Sequence, residues 1–198
     1  MSVDVSHLLA YPRMNAYLVS VISSSDVSVQ TLGRTELDSH ANMLVFGSQC
    51  YIISQSSREA MVNAFSDLVG SINNLTIVDV AVVYDCLTTQ RTYIMIARNI
   101  LHVPSMKHNL IIPFVMREAG LVVKDTAMIH VKDPSHEDDS IYDEKTGLRI
   151  RLQFSVVFSY FRTRKPSIED STNDTNQAVL LTPEGPSWDP HLRSFHIN

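Results

Sequence analysis

The sequence predicts a mostly β domain with one short helix and a C-terminal tail, and three observations carry the prediction. Residues 75–84 and 92–103 are runs of strand length, rich in β-branched side chains and separated by the polar stretch 85–91, the pattern of a β-hairpin. Residues 148–160 open on Leu-Arg-Ile-Arg-Leu-Gln-Phe, an alternation that fits a half-exposed strand. Residues 109–120 put Leu110, Ile111, Phe114, Val115 and Ala119 on helical spacing and end on Gly120, which predicts one short helix over about 113–119.

The remaining elements follow along the chain. Residues 1–13 read as an N-terminal arm, and residues 14–165 as the domain, with its core between about 27 and 131. The segment 10–22 carries Tyr11, Met14, Tyr17, Leu18, Val19, Val21 and Ile22, and reads as a leading strand whose period also fits a short helix. Residues 27–37 alternate loosely, and 43–46 and 50–53 are compact apolar runs, so β-structure is expected on both sides of an interruption at Asp38. Arg58, Glu59, Ala60, Met61, Asn63 and Ala64 form a helix-compatible patch within 57–65 that fits one helical turn or an exposed loop. Residues 121–131 read as a strand or strand pair, and 132–143 as an acidic loop. Beyond Arg162 the composition turns to Pro, Ser, Thr, Asn and Asp, with Pro166, Pro183, Pro186 and Pro190. Residues 166–198 therefore read as a linker or disordered, flexible tail.

Composition narrows the function classes. The chain has 198 residues, 44% apolar and 19% charged, which suits a globular body. Sixteen Lys and Arg against 21 Asp and Glu give a net charge of −5, so no global attraction for phosphate backbones exists and nucleic acid is not an expected partner. The basic cluster Arg162-Thr-Arg-Lys165 reads as the start of a solvated linker. The most apolar region, 94–115, is interrupted by Arg98, His102 and Lys107, and residues 1–7 lack the features of a secretory signal, so no membrane span is expected and a cytoplasmic location follows by elimination. The sequons at Asn74 and Asn173 then have no route to glycosylation. The histidines are scattered without ligand spacing, and neither a metal nor another cofactor is expected. Of the two cysteines, Cys50 reads as a small buried hydrophobe and Cys86 as an exposed thiol at a turn, neither with a base nearby in sequence.

The informative local pattern is Glu36-Leu37-Asp38-Ser39-His40-Ala41. A carboxylate at the end of an apolar strand, followed by a hydroxyl and a small residue, is what an aspartic protease needs: a rigid strand-to-turn junction whose loop the hydroxyl locks. The same dipeptide is common in ordinary turns.

A second pattern, Asn99-Ile-Leu-His-Val-Pro-Ser-Met-Lys-His-Asn109-Leu-Ile, resembles the segment that closes the protease domain of copia-type LTR retrotransposon Pol polyproteins. In that family an apolar residue and Leu-Tyr-Val-Pro precede Asn-Leu-Leu and a helix ending in Gly. This sequence supplies Ile100, Leu101, His102, Val103 and Pro104, then Asn109, Leu110 and Ile111, with Gly120 after the helix. The resemblance extends to Val83-Tyr84-Asp85, to 157–166 and to Trp188-Asp189-Pro190, and is strongest to a branch of such elements found in algal and other microbial eukaryotic genomes.

The resemblance implies a retropepsin-like fold, a small closed β-barrel-like domain, and the activity of an aspartic endopeptidase that matures the element's own polyprotein. Asp38 would be the catalytic carboxylate, with Ser39, His40 and Ala41 supporting its loop. The chain has one strand-Asp-hydroxyl junction, since Asp139-Ser140 falls in an acidic loop and Asp170-Ser171 in the tail, so a working site requires a homodimer with Asp38 from each copy. The hairpin 78–100 would place its tip, with Asp85, Cys86, Leu87, Thr88 and Thr89, as a flap over substrate. Three positions depart from the family pattern: His40 stands where most members have Gly, the tip lacks Pro and Gly, and Ile112 stands where relatives often keep Gly. They leave open the alternative of a catalytically inactive remnant that dimerises or binds peptide.

Overall fold

In the computed structural model of the chain the described residues are 32–39, 41–63, 71–135, 137–155 and 158–184. The expected N-terminal arm and leading strand lie outside them, as does His40. The strands are β1 (Gly33–Leu37), β2 (Val45–Phe46), β3 (Tyr51–Asn63), β4 (Ser71–Cys86), β5 (Arg91–His102), β6 (His108–Ile111), β7 (Val122–Lys124), β8 (Ser140–Asp143), β9 (Leu148–Arg151), β10 (Gln153–Ser155), β11 (Phe158–Thr163) and β12 (Gln177–Leu180). Among the described residues two short helices, α1 (Pro113–Glu118) and α2 (Ile168–Thr172), accompany them, together with a 3-10 turn at Met128–His130.

The fold is mostly β, as the sequence predicts. The hairpin is β4 against β5, paired from Thr76↔His102 to Cys86↔Arg91. Its inward side chains, Val80, Val82, Met95 and Ala97, are fully buried, which explains why two β-branched runs announce themselves so clearly. Strand order in the large sheet is β10-β11-β1-β6-β2-β5-β4-β3, with β12 parallel to β5, and β7-β8-β9 form a second sheet.

No closed barrel is found among the described residues. The sheet curls until β4 meets the chain beyond β11 through the single bridge Val83↔Arg164, and closure goes no further. Pro166 follows almost at once, and a residue without an N–H cannot extend a ladder.

Three local expectations are corrected. Residues 57–63 continue β3 and do not turn into helix; their pairing with β4, carried through register shifts, outweighs a weak local propensity. The helix expected over about 113–119 is found as α1, Pro113–Glu118. Residues 108–111 are taken as strand β6 by β1 and β2, and Ile112 is held extended (φ −102°, ψ 118°) before the proline at the first helical position. Within the expected acidic loop, Ser140–Asp143 form a strand between β7 and β9. Residues 168–184 are not a tail. Helix α2 is closed by a capping box between Ser167 and Asp170, β12 pairs with β5 from Gln177↔Tyr93 to Leu180↔Ile96, and Val179, Leu181 and Thr182 are buried. The core thus extends well past residue 131, uniting Phe46, Val80, Met95, Ile111, Met116, Ile150, Phe161 and Leu181 in one cluster. Residues 185–198 lie outside the described part. Among the described residues no helix is long and apolar enough to cross a membrane.

Gly47 marks a close backbone approach after β2. A Cβ there would stand 2.2 Å from the Met106 carbonyl oxygen, while the Gly47 N–H donates to Asn109 Oδ1 at 3.0 Å. Gly47→Ala is therefore expected to cost about 1–3 kcal/mol through forced backbone movement, read as a lowered midpoint in thermal unfolding.

Candidate functional site

Asp38 stands one residue past the end of β1, half-buried, and Ser39 beside it is exposed. What fixes Asp38 is the order of three strands. β6 lies between β1 and β2, parallel to the first and antiparallel to the second. The connection 38–44 must therefore cross the end of β6 to reach β2. At that crossing the Asp38 N–H donates to the Ile111 carbonyl at 2.8 Å, and Leu37 and Ala41 pack against the main core cluster.

Below the crossing sits a buried polar clamp. Asn109, 1% exposed, donates through Nδ2 to Thr35 Oγ1 at 3.0 Å and accepts the Gly47 N–H through Oδ1 at 3.0 Å. Thr35 Oγ1 is in turn 2.8 Å from Thr163 Oγ1. One amide side chain thus ties together β1, the chain after β2 and β6, with β11 joined through the hydroxyl pair. A fully satisfied buried network of this kind rigidifies what it connects, and here it holds both feet of the Asp38 loop. Sequence reasoning used Asn109 only as a family marker and missed Thr35 and Thr163; an Asn within an apolar strand is the signal that could have found the clamp.

The expected flap residues are gathered elsewhere. Asp85 accepts from Thr92 Oγ1 at 2.8 Å and from Arg164 Nε and Nη2 at 2.6 and 3.1 Å. Arg164 bonds Asp170 through Nη1 and Nη2 at 2.5 and 2.8 Å. Leu87 is 92% exposed but Cys86 is buried, so Cys86 is not the exposed thiol expected, and the base of the tip, with Thr88 and Thr89 in its turn, is anchored around Arg164 and not around Asp38. A movable cover would have to break that ion-pair network. Arg164 likewise leaves the expected solvated cluster, being 8% exposed, because its neighbour Val83 draws the backbone into the sheet.

The charges around Arg164 reinforce one another. The bonds that Arg164 donates to Asp170, opposed by burial and helped by Asp85, raise the guanidinium's affinity for its proton further above its ordinary value. Burial opposes ionisation of Asp170, yet the bonds from Arg164 and Ser167 outweigh it and hold this carboxyl below the ordinary range. The cysteines differ. Burial pushes the Cys50 thiol up to about 11, which makes it inert as a nucleophile. For Cys86 burial acts in the same direction but is outweighed by hydrogen bonds from Thr89 and Thr88, leaving the thiol below its ordinary value.

The other two Asp-Ser pairs are occupied. Asp139, 7% exposed, accepts from Ser159 Oγ at 3.2 Å, and burial raises its pKa; Asp170 is bound to Arg164. Compared with protein-family models, curated proteins and solved structures, the chain matches none.

Proposed function

We propose that the chain is an aspartic endopeptidase of retropepsin-like fold, acting in the cytoplasm on a retroelement polyprotein, with the reacting pair formed by Asp38 from each of two copies. The observation that carries this reading is the Asp38 loop, crossing the end of β6 with its first N–H on Ile111 and both feet held by Asn109. Carboxylate catalysis needs such a fixed approach, because proton transfer falls off steeply with misplacement.

The chemistry then follows from pairing. Two carboxylates in contact cannot both ionise, so they share one proton and titrate in two steps. The ionised member takes a proton from water as that water attacks the scissile carbonyl, and the protonated member donates to the carbonyl oxygen. Asp139 and Asp170 are engaged in their own contacts, which favours a second copy as the source of the partner. A twofold axis supplies it with the same surface used twice.

The test is cleavage of a peptide library at about pH 4–6, where a shared proton is retained, with pepstatin as a control. Cleavage by the native chain, rising more than linearly with protein concentration and lost in Asp38→Asn, supports the dimeric protease. A folded dimer that binds extended peptide without cutting it assigns the non-catalytic remnant instead.

A further inference from the structure

Strand register gathers positive charge at the start of β1. Arg34 lies directly opposite Arg162 on β11 and opposite His108 on β6, and directly paired residues share a face of the sheet. The adjacent row, Phe161, Thr35 and Asn109, is buried, so the row Arg162-Arg34-His108 faces outward. Lys107 precedes His108. These four side chains, with Ser48, Gln49 and Tyr160, line a cleft of about 500 Å³.

Like charges facing each other on neighbouring strands are destabilising unless something neutralises them. Arg34 is partly compensated: Glu36 lies 2.5 Å away, and the Phe158 and Tyr160 rings stand 4.9 and 5.2 Å from its guanidinium carbon. Among the described residues neither Lys107 nor Arg162 has a carboxylate partner, and none of the residues lining the cleft is acidic. On a chain of net charge −5 this local excess is not a consequence of composition.

We propose that the cleft binds a compact phosphate-bearing anion of the polyphosphate or nucleoside-phosphate kind. Its volume lies within the roughly 300–1,000 Å³ of small-ligand sites. Arginine forks match phosphate oxygens bidentately, while lysine serves as a point charge. The flanking strands β11 and β6 stand two strand spacings apart, roughly 10 Å, so the donors converge on one short anion and do not form the extended track that a nucleic-acid backbone follows.

The test is calorimetric titration of the full chain with tripolyphosphate and with ATP at physiological ionic strength, where diffuse attraction is screened. One-to-one saturable binding is expected, weakened about tenfold or more in the double variant Lys107→Gln/Arg162→Gln, both exposed positions. The control Lys124→Gln/Lys145→Gln removes the same charge from other exposed positions and is expected to bind as the native chain does. Tighter binding of ATP assigns a nucleoside phosphate, and equal binding a free polyphosphate. The proposal is overturned by absence of saturable binding, by equal loss in the control, or by a single-stranded oligonucleotide that displaces tripolyphosphate with a steep salt dependence.

Discussion

Asp170→Ala is expected to lower folding stability by about 3–5 kcal/mol, the usual result of leaving one member of a buried ion pair without its partner. The side chains of Arg164 and Asp170 are 10% and 9% exposed and bonded through two guanidinium nitrogens. Asp170 also accepts the Ser167 N–H and hydroxyl at 2.6 and 2.9 Å, so the substitution opens the α2 cap as well. Asp85, on the other side of the guanidinium but 46% exposed, still offsets part of the orphaned charge and keeps the loss toward the lower end. Urea unfolding of the two proteins side by side reads the difference.

The pH dependence has a definite sign. Asp170 has its folded-state pKa depressed below the ordinary 3.8, so its contribution is fully present above that value and is lost as pH falls through the folded-state pKa. Arg164 remains charged throughout. The gap between the native chain and Asp170→Ala should therefore be constant near neutrality and narrow below about pH 4. A gap that instead widened on acidification would contradict the assignment.

How legible this protein is in its sequence depends on the range of the forces involved. The β4–β5 hairpin is readable because every second or third residue of two long runs meets the core, and α1 because Pro113 and Gly120 punctuate it locally. The junction at Asp38 is readable from its Asp-Ser turn dipeptide, although the strand it ends, Gly33–Leu37, holds Leu37 as its one large apolar residue. The clamp beneath it is not: Thr35, Gly47, Asn109 and Thr163 come from four separated segments, and nothing local marks Gly47 as the place where a carbonyl passes within contact. Residues 57–63 mislead in the opposite direction, since Arg58, Glu59, Ala60 and Met61 favour helix and only the partner strand β4 decides otherwise. Arg162 and Arg164, two residues apart in one basic run, end in different surroundings, one in an open cleft and one in a buried ion pair. The difference comes from the Val83 bridge and the Asp85 and Asp170 carboxylates beside Arg164, and composition carries no trace of it.

Ending the chain after Lys165 is expected to abolish cooperative folding, whereas ending it after Glu184 is expected to preserve it. Read as sequence, both cuts fall in a polar, proline-bearing stretch. In the structure the first removes β12, whose pairing with β5 satisfies backbone groups of a strand otherwise open along Tyr93–Ile96. It uncovers Val179 and Leu181, at 3% and 0% exposure, each of which contributes about 1.5–3 kcal/mol by leaving water. It also deletes Asp170, and the bond that the Arg98 N–H donates to Thr182 Oγ1 at 3.1 Å is lost with it. Against a total stability of about 5–15 kcal/mol, these losses together leave no margin. Circular dichroism through a urea gradient distinguishes the outcomes: a sloping, non-cooperative signal for the shorter chain and a native-like transition for the longer one. A cooperative transition in the chain ending at Lys165 would mean that the sheet is complete without β12 and that the domain ends where the composition changes.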